Sequence, residues 1–174
     1  MKVVFLDIDG VLQPYDSNNR FYMLDNSLVE KLSKKHGVSY AQYSIYDVMA
    51  VYYDWDTQAI ERLRYILEKT RSKIIVSSDW RSITMPNKML DLLRIHNLDK
   101  YWFKDNIINE EYIPLVQKRA LEIKDSLLRY PIDNFVILDD MEGLEEYFKD
   151  NTVITKDYIG INDMERCIKI LTKK

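Results

Sequence analysis

The chain has 174 residues, 47% hydrophobic and 30% charged, with a net charge of −3. That length fits one domain with a real core, and the charge excludes a broadly basic nucleic-acid surface but leaves room for a local basic groove. A single cysteine, Cys167, excludes an internal disulfide and a cysteine-rich zinc site. No apolar run reaches the roughly 18 residues that span a membrane. The N-terminus lacks the long apolar region of a signal peptide, so the expected location is cytoplasmic.

The first predicted element is a buried strand over 2–7, read from Val3-Val4-Phe5-Leu6. Residues 13–55 fit no core element and read as a small helical insertion folding over the mouth of a site. Within it, Ser27-Leu28-Val29-Glu30 resembles a capping box, and a second helical pattern runs through 40–51. Asp56 caps a helix over 57–69 that turns Ile60, Leu63 and Leu67 to one face. A second strand covers 73–78. Pro86 opens a helix over 86–96, and Pro114 opens another that runs to Arg129 and stops at Tyr130-Pro131. Strands follow at 134–139 and 152–155. Asp163 caps a last helix that buries Met164, Cys167, Ile168 and Leu171. Short apolar strands alternating with helices predict a single α/β domain, 1–174, with a central parallel sheet between helical layers.

The chemistry sits at the carboxyl ends of these strands, where open α/β sheets bind ligands. The first strand ends Asp7-Ile8-Asp9-Gly10. Gly10 permits a sharp turn, and the two acids suit a carboxylate nucleophile beside a proton-handling carboxylate. The second strand ends Ser77-Ser78-Asp79-Trp80-Arg81. Its hydroxyls can donate to a phosphate oxygen, and Arg81 is a candidate substrate contact able to clamp an anion. Trp80 reads as a packing residue. The third predicted strand, with Phe135–Leu138, runs into Asp139-Asp140, a costly pair unless something positive lies near. Hard oxygens on a rigid strand end suit Mg²⁺.

Together these stretches resemble the haloacid dehalogenase-like (HAD) superfamily. Asp7-Ile8-Asp9-Gly10-Val11-Leu12 matches its first motif, Ser77 best and Ser78 second match the next, and Asp139-Asp140 matches the last. The resemblance implies a Rossmann-like three-layer sandwich with a cap after the first strand. It also implies a phosphate-neutralising cation near a helix start, here Lys118 or Arg119, without separating the two. The motifs FLDIDGVL, SSDWR, KRALEI and FVILDD, with Val153–Asp157 and Gly160-Ile161, look closer still to the HAD domain of Swiss army knife RNA repair proteins.

By that resemblance the expected activity is Mg²⁺-dependent phosphomonoester hydrolysis through an aspartyl-phosphate, on nucleotide or nucleic-acid end phosphates. Asp7 is the expected nucleophile and Asp9 the acid and base. Mg²⁺ is held by Asp7, the Asp9 carbonyl, and Asp139 or Asp140. Glu142 and Glu145 are weaker candidates for supporting contacts. A phosphotransferase and a non-catalytic HAD-fold adaptor are the alternatives. A receiver domain is disfavoured, because its acid pair follows the first strand rather than a late one.

Thirteen tyrosines are unusual. Tyr40, Tyr43, Tyr46, Tyr52, Tyr53 and Trp55 either stack bases over the site or build the insertion's core, and the acidic balance favours the core. His36 and His96 have no second ligand at metal spacing and read as surface residues.

Overall fold

The computed structural model describes residues 1–105 and 113–173. Strand β1 (Lys2–Leu6) is apolar on both sides of its pleat, which suits a sheet covered on two faces. It takes the centre of a five-stranded parallel sheet with β2 (Lys73–Val76), β3 (Trp102–Asp105), β4 (Asn134–Asp139) and β5 (Thr152–Ile154), in the order β3-β2-β1-β4-β5. Six helices accompany it among the described residues: α1 (Asn26–His36), α2 (Ile45–Tyr53), α3 (Thr57–Thr70), α4 (Lys88–Arg94), α5 (Leu115–Arg129) and α6 (Ile161–Thr172).

Alternation along the strands divides the core. Val4, Leu6, Val136 and Leu138 pack with Leu63, Leu92 and Cys167 from α3, α4 and α6. Val3, Phe5, Ile75 and Ile137 pack with Ala120 and Ile123 of α5 on the opposite face. The three-layer α/β architecture expected from the sequence is present.

The register matters most for function. Leu6 lies opposite Val76 on one side and Leu138 on the other. The residues that follow are locked in the same way, with Ser77 N–H donating to Leu6 O at 2.9 Å and Asp7 N–H to Leu138 O at 3.0 Å. Asp7, Ser77 and Asp139 therefore emerge side by side.

Several local expectations need correction. Strand β3 was not foreseen: Trp102-Phe103-Lys104-Asp105 is a half-buried edge strand without a full apolar run. Helix α1 is capped by Asp25, whose carboxylate accepts from Ser27 N–H, and not by Ser27 with Glu30. The pattern over 40–51 splits into a turn at Tyr40–Gln42 and α2. Helix α4 is shorter than 86–96 and leaves Pro86 outside, before its N-cap Asn87. Helix α6 starts after Gly160, with Asp163 one turn inside accepting from Gly160 N–H. The Asp56 cap on α3 is as expected, accepting from Ala59 N–H at 2.7 Å.

The insertion shares the domain's core. Tyr40 and Tyr43 are buried, and their hydroxyls donate to the Asp91 carbonyl at 2.8 Å and its carboxylate at 2.6 Å. Trp55 is buried too, while Tyr46 and Tyr52 stay exposed.

His96 is not a surface residue. It is half-buried, stacks on Trp55 at 5.7 Å and places Nε2 2.7 Å from the Val51 carbonyl. Burial pushes its pKa below the ordinary histidine value. The unfolded chain then binds the proton first, so this contribution to stability is lost as pH falls below about 6.5. The stability gap between wild type and His96→Gln should shrink between pH 7.5 and pH 5, read from urea midpoints. A gap constant with pH would refute this.

Candidate active site

Asp7 follows β1 directly, and the chain then closes a tight loop in which Val11, Leu12 and Gln13 N–H all reach the Ile8 carbonyl. Gly10 makes the loop feasible. Its φ is +67°, and a Cβ there would lie 2.5 Å from Asp140 Oδ2 and 2.7 Å from the Tyr15 hydroxyl. Thr155, just after β5, donates its hydroxyl to the Gly10 carbonyl at 2.6 Å and pins the loop from the far side.

Three carboxylates converge at this point. Asp7, Asp139 and Asp140 each bring an oxygen within 4.8 Å of the others. Arg119 enters from α5, nearly fully buried, with Nη1 at 2.7 Å from Asp139 Oδ2 and 3.3 Å from Asp7 Oδ1. Asp79 lies 3.7 Å from its other terminal nitrogen. Burial raises the Asp7 pKa, with the Asp139 charge adding to it and Arg119 and the Ser78 hydroxyl opposing. Burial raises Asp139 as well, against Arg119 and the Met141 N–H. For Arg119 burial acts downward, but Asp139 and Asp7 outweigh it and hold the guanidinium firmly charged. One cation among three clustered acids leaves surplus negative charge, and the donors are all hard oxygens. That set fits a divalent Mg²⁺-like ion.

Asp9 stands apart from the cluster, exposed at the mouth. Its two oxygens accept from Gln13 Nε2 at 2.9 Å and Trp80 Nε1 at 2.8 Å. Desolvation by the surrounding walls raises its pKa, against the Trp80 hydrogen bond. A raised carboxyl pKa suits a group that must hold and then release a proton. Tyr15 reaches across from the insertion and donates its hydroxyl to Asp140, and its N–H donates to Asp157 at 2.9 Å.

The other expected residues separate. Ser78 acts on Asp7, whereas Ser77 Oγ is buried with no hydrogen-bond partner among the described residues. A buried hydroxyl without a protein partner is free to donate to a ligand oxygen. Lys118 lines an adjoining cleft of about 360 Å³ with Ser78, Asp79, Arg81 and Thr84, and among the described residues it pairs with none of Asp7, Asp139 and Asp140, two of which Arg119 meets. Arg81, the candidate substrate contact, lines that same cleft and also holds two protein groups. Its Nε donates to the Ser78 carbonyl and its Nη2 pairs with buried Glu122 at 2.9 Å, so it braces the loop that carries Ser78. Glu145 accepts from Gly143 N–H in its own turn.

Sequence reasoning missed Gln13, Tyr15 and Thr155 and gave Trp80 only packing. Thr155 had a usable signal, a hydroxyl at the carboxyl end of a strand. Trp80 does pack, 6.0 Å from Trp55 between ring centroids, but its indole N–H also aims at Asp9.

The family described as the HAD domain in Swiss Army Knife RNA repair proteins matches residues 3–165. No curated protein and no solved structure matches the chain. Among the described residues no helix is long and apolar enough to cross a membrane.

Proposed function

The chain belongs to the family of HAD domains in Swiss Army Knife RNA repair proteins, and we propose that it is a phosphomonoester hydrolase working through an aspartyl-phosphate. The observation that carries this reading is the separation of two kinds of acid. Asp7 lies buried beside Arg119 and two further carboxylates, and Asp9 is presented at the mouth by Trp80 and Gln13.

In the proposed reaction an Asp7 oxygen attacks phosphorus in line with the leaving oxygen. The P–O bond to the leaving group breaks as the acyl-phosphate bond forms, and Asp9 gives its proton to the departing oxygen. Asp9 then takes a proton from water, whose oxygen attacks phosphorus and frees Asp7 and phosphate. Ser77 and Ser78 donate to the equatorial oxygens, and Arg119 balances the charge of Asp7 as an anionic phosphate approaches. Asp7, Asp139, Asp140 and the Asp9 carbonyl would hold Mg²⁺, which supplies further charge neutralisation at the phosphate. The insertion over 13–55 serves as the cap, with Tyr15 and Arg20 at its inner edge. Arg20 Nη1 reaches Gln13 Oε1 at 3.1 Å and so supports the group that orients Asp9.

The substrate class proposed is a nucleotide or nucleic-acid end phosphate. Phosphate release with Mg²⁺ should be compared across small phosphomonoesters, nucleotides, and oligonucleotides phosphorylated at either end. The highest kcat/KM is expected on one oligonucleotide end. Preference for small phosphomonoesters would remove the end-processing assignment, and no release from any substrate would remove the hydrolase.

A further inference from the structure

Cations are distributed unevenly over this acidic chain. Of nine arginines, six pair with carboxylates: Arg20, Arg64, Arg81, Arg94, Arg119 and Arg129. Arg62 and Arg166 pair with none among the described residues. Both line a groove of about 960 Å³ with Lys156, between the end of β5 and the start of α6. Arg166 also lines a second groove of about 480 Å³ with Lys149, Lys169 and Lys173. The two grooves thus meet at Arg166.

Arg166 and Lys169 lie one turn apart on an exposed face of α6, and exposed Lys173 follows directly after the helix as its C-cap residue. Six cations border the joined grooves against three acids, Asp150, Asp157 and Asp163, in a chain whose net charge is −3. Two of those acids are already occupied, Asp157 by Tyr15 N–H and Asp163 by Gly160 N–H. None of the six cations has a carboxylate partner among the described residues. Arg62 Nη1 instead donates to the Ile159 carbonyl at 2.7 Å, and its guanidinium lies 5.9 Å from the Tyr158 ring centroid.

This track begins at the wall of the active site. The segment after β5 carries Thr155 on the Gly10 carbonyl, Asp157 on Tyr15, and Ile159 N–H on the Val11 carbonyl at 3.0 Å. One face of that segment closes the mouth and the other lines the first groove. A chain of phosphates leaving Asp7 over this segment runs onto α6, which offers about 18 Å of helix.

We propose that the Arg62–Lys156–Arg166–Lys169–Lys173 track, with Lys149 beside it, binds the sugar-phosphate backbone of a single-stranded nucleic acid whose end phosphate is at Asp7. The proposal rests on the hydrolase reading for that end, but the track is tested separately. Regularly spaced phosphates match a row of lysines and arginines, and such binding weakens steeply with salt.

The test measures binding of a 5′-phosphorylated 12-nucleotide RNA to the Asp7→Asn chain at several salt concentrations. It is repeated with Arg166→Gln/Lys169→Gln/Lys173→Gln added, and with Lys34→Gln/Lys35→Gln on α1 as a control. The triple variant should bind at least about tenfold more weakly, with the slope of log K against log salt lower by about 2, since each single-strand contact contributes about 0.7. The α1 pair should change neither. With Asp7 restored, the triple variant should raise KM for the oligonucleotide and leave kcat on a small phosphomonoester unchanged.

Unchanged affinity and slope would overturn the track. So would an equal loss in the α1 pair, which would mean diffuse attraction only. Poly-glutamate of equal charge competing as well as RNA would overturn the nucleic-acid assignment in favour of an acidic protein. A wild type that binds RNA through α6 but releases no phosphate would keep the track and sink the hydrolase reading alone.

Discussion

Asp7→Asn should lose on the order of 10³-fold or more in phosphate release while keeping its fold. Asparagine preserves the shape of the side chain but cannot form the acyl phosphate. The structure explains why the fold should survive. Asp7 is one of three converging carboxylates, and Arg119 keeps its shorter contact, 2.7 Å, to Asp139. Removing one negative charge relieves repulsion among the acids, so the variant should melt at or above the wild-type temperature without Mg²⁺. Adding Mg²⁺ should then raise the wild-type melting temperature more than that of the variant. Phosphate release at the wild-type rate would refute Asp7 as nucleophile, and equal Mg²⁺ effects would remove it from the metal site.

Arg119→Met should be the most destabilising single change at this site. It removes the buried cation that lies between Asp7 at 3.3 Å and Asp139 at 2.7 Å, leaving clustered carboxylates without compensation. Breaking a buried charge network by deleting one partner costs about 3–5 kcal/mol. Lys118→Met, one residue earlier and turned into the neighbouring cleft, should cost no more than about 0.5 kcal/mol. Urea unfolding at pH 7.5 compares them, and activity should follow the same order. Equal destabilisation by the two substitutions would mean that the Arg119 network contributes nothing net. If Mg²⁺ neutralises the same carboxylates, it should restore part of the stability lost in Arg119→Met and add little to Lys118→Met.

The pair shows where sequence reading ends. Adjacent residues on a helix point about 100° apart, so only the docking of α5 decides which one reaches Asp7. Arg119 shares the inward face with Ala120 and Ile123, and Lys118 does not. Ser77 and Ser78 pose the same question on a strand, where neighbours face opposite ways. The tyrosines divide by the same logic. Tyr40 and Tyr43 find Asp91 on α4, a residue 48 positions beyond Tyr43, and no local pattern announces that pairing. Strand β3 went unseen because an edge strand needs no continuous apolar run.

What the sequence determined by itself was the parallel sheet and the placement of its acids. Buried parallel strands must be apolar along their length, so Val3–Leu6, Ile74–Val76 and Val136–Leu138 declare themselves, and polar residues at their ends stand out. The α3 cap at Asp56 was equally local. Tertiary structure alone decided which cation meets the nucleophile candidate, that Trp80 and Gln13 present Asp9, and that Tyr15 closes on Asp140. It also decided that Arg166 of α6 lines one groove with Arg62 and Lys156 and another with Lys149 and Lys169. Apart from the local Gln13–Asp9 contact, these join side chains distant in the chain through packing angles and helix rotation, and those are set by the whole core and not by neighbours in the chain.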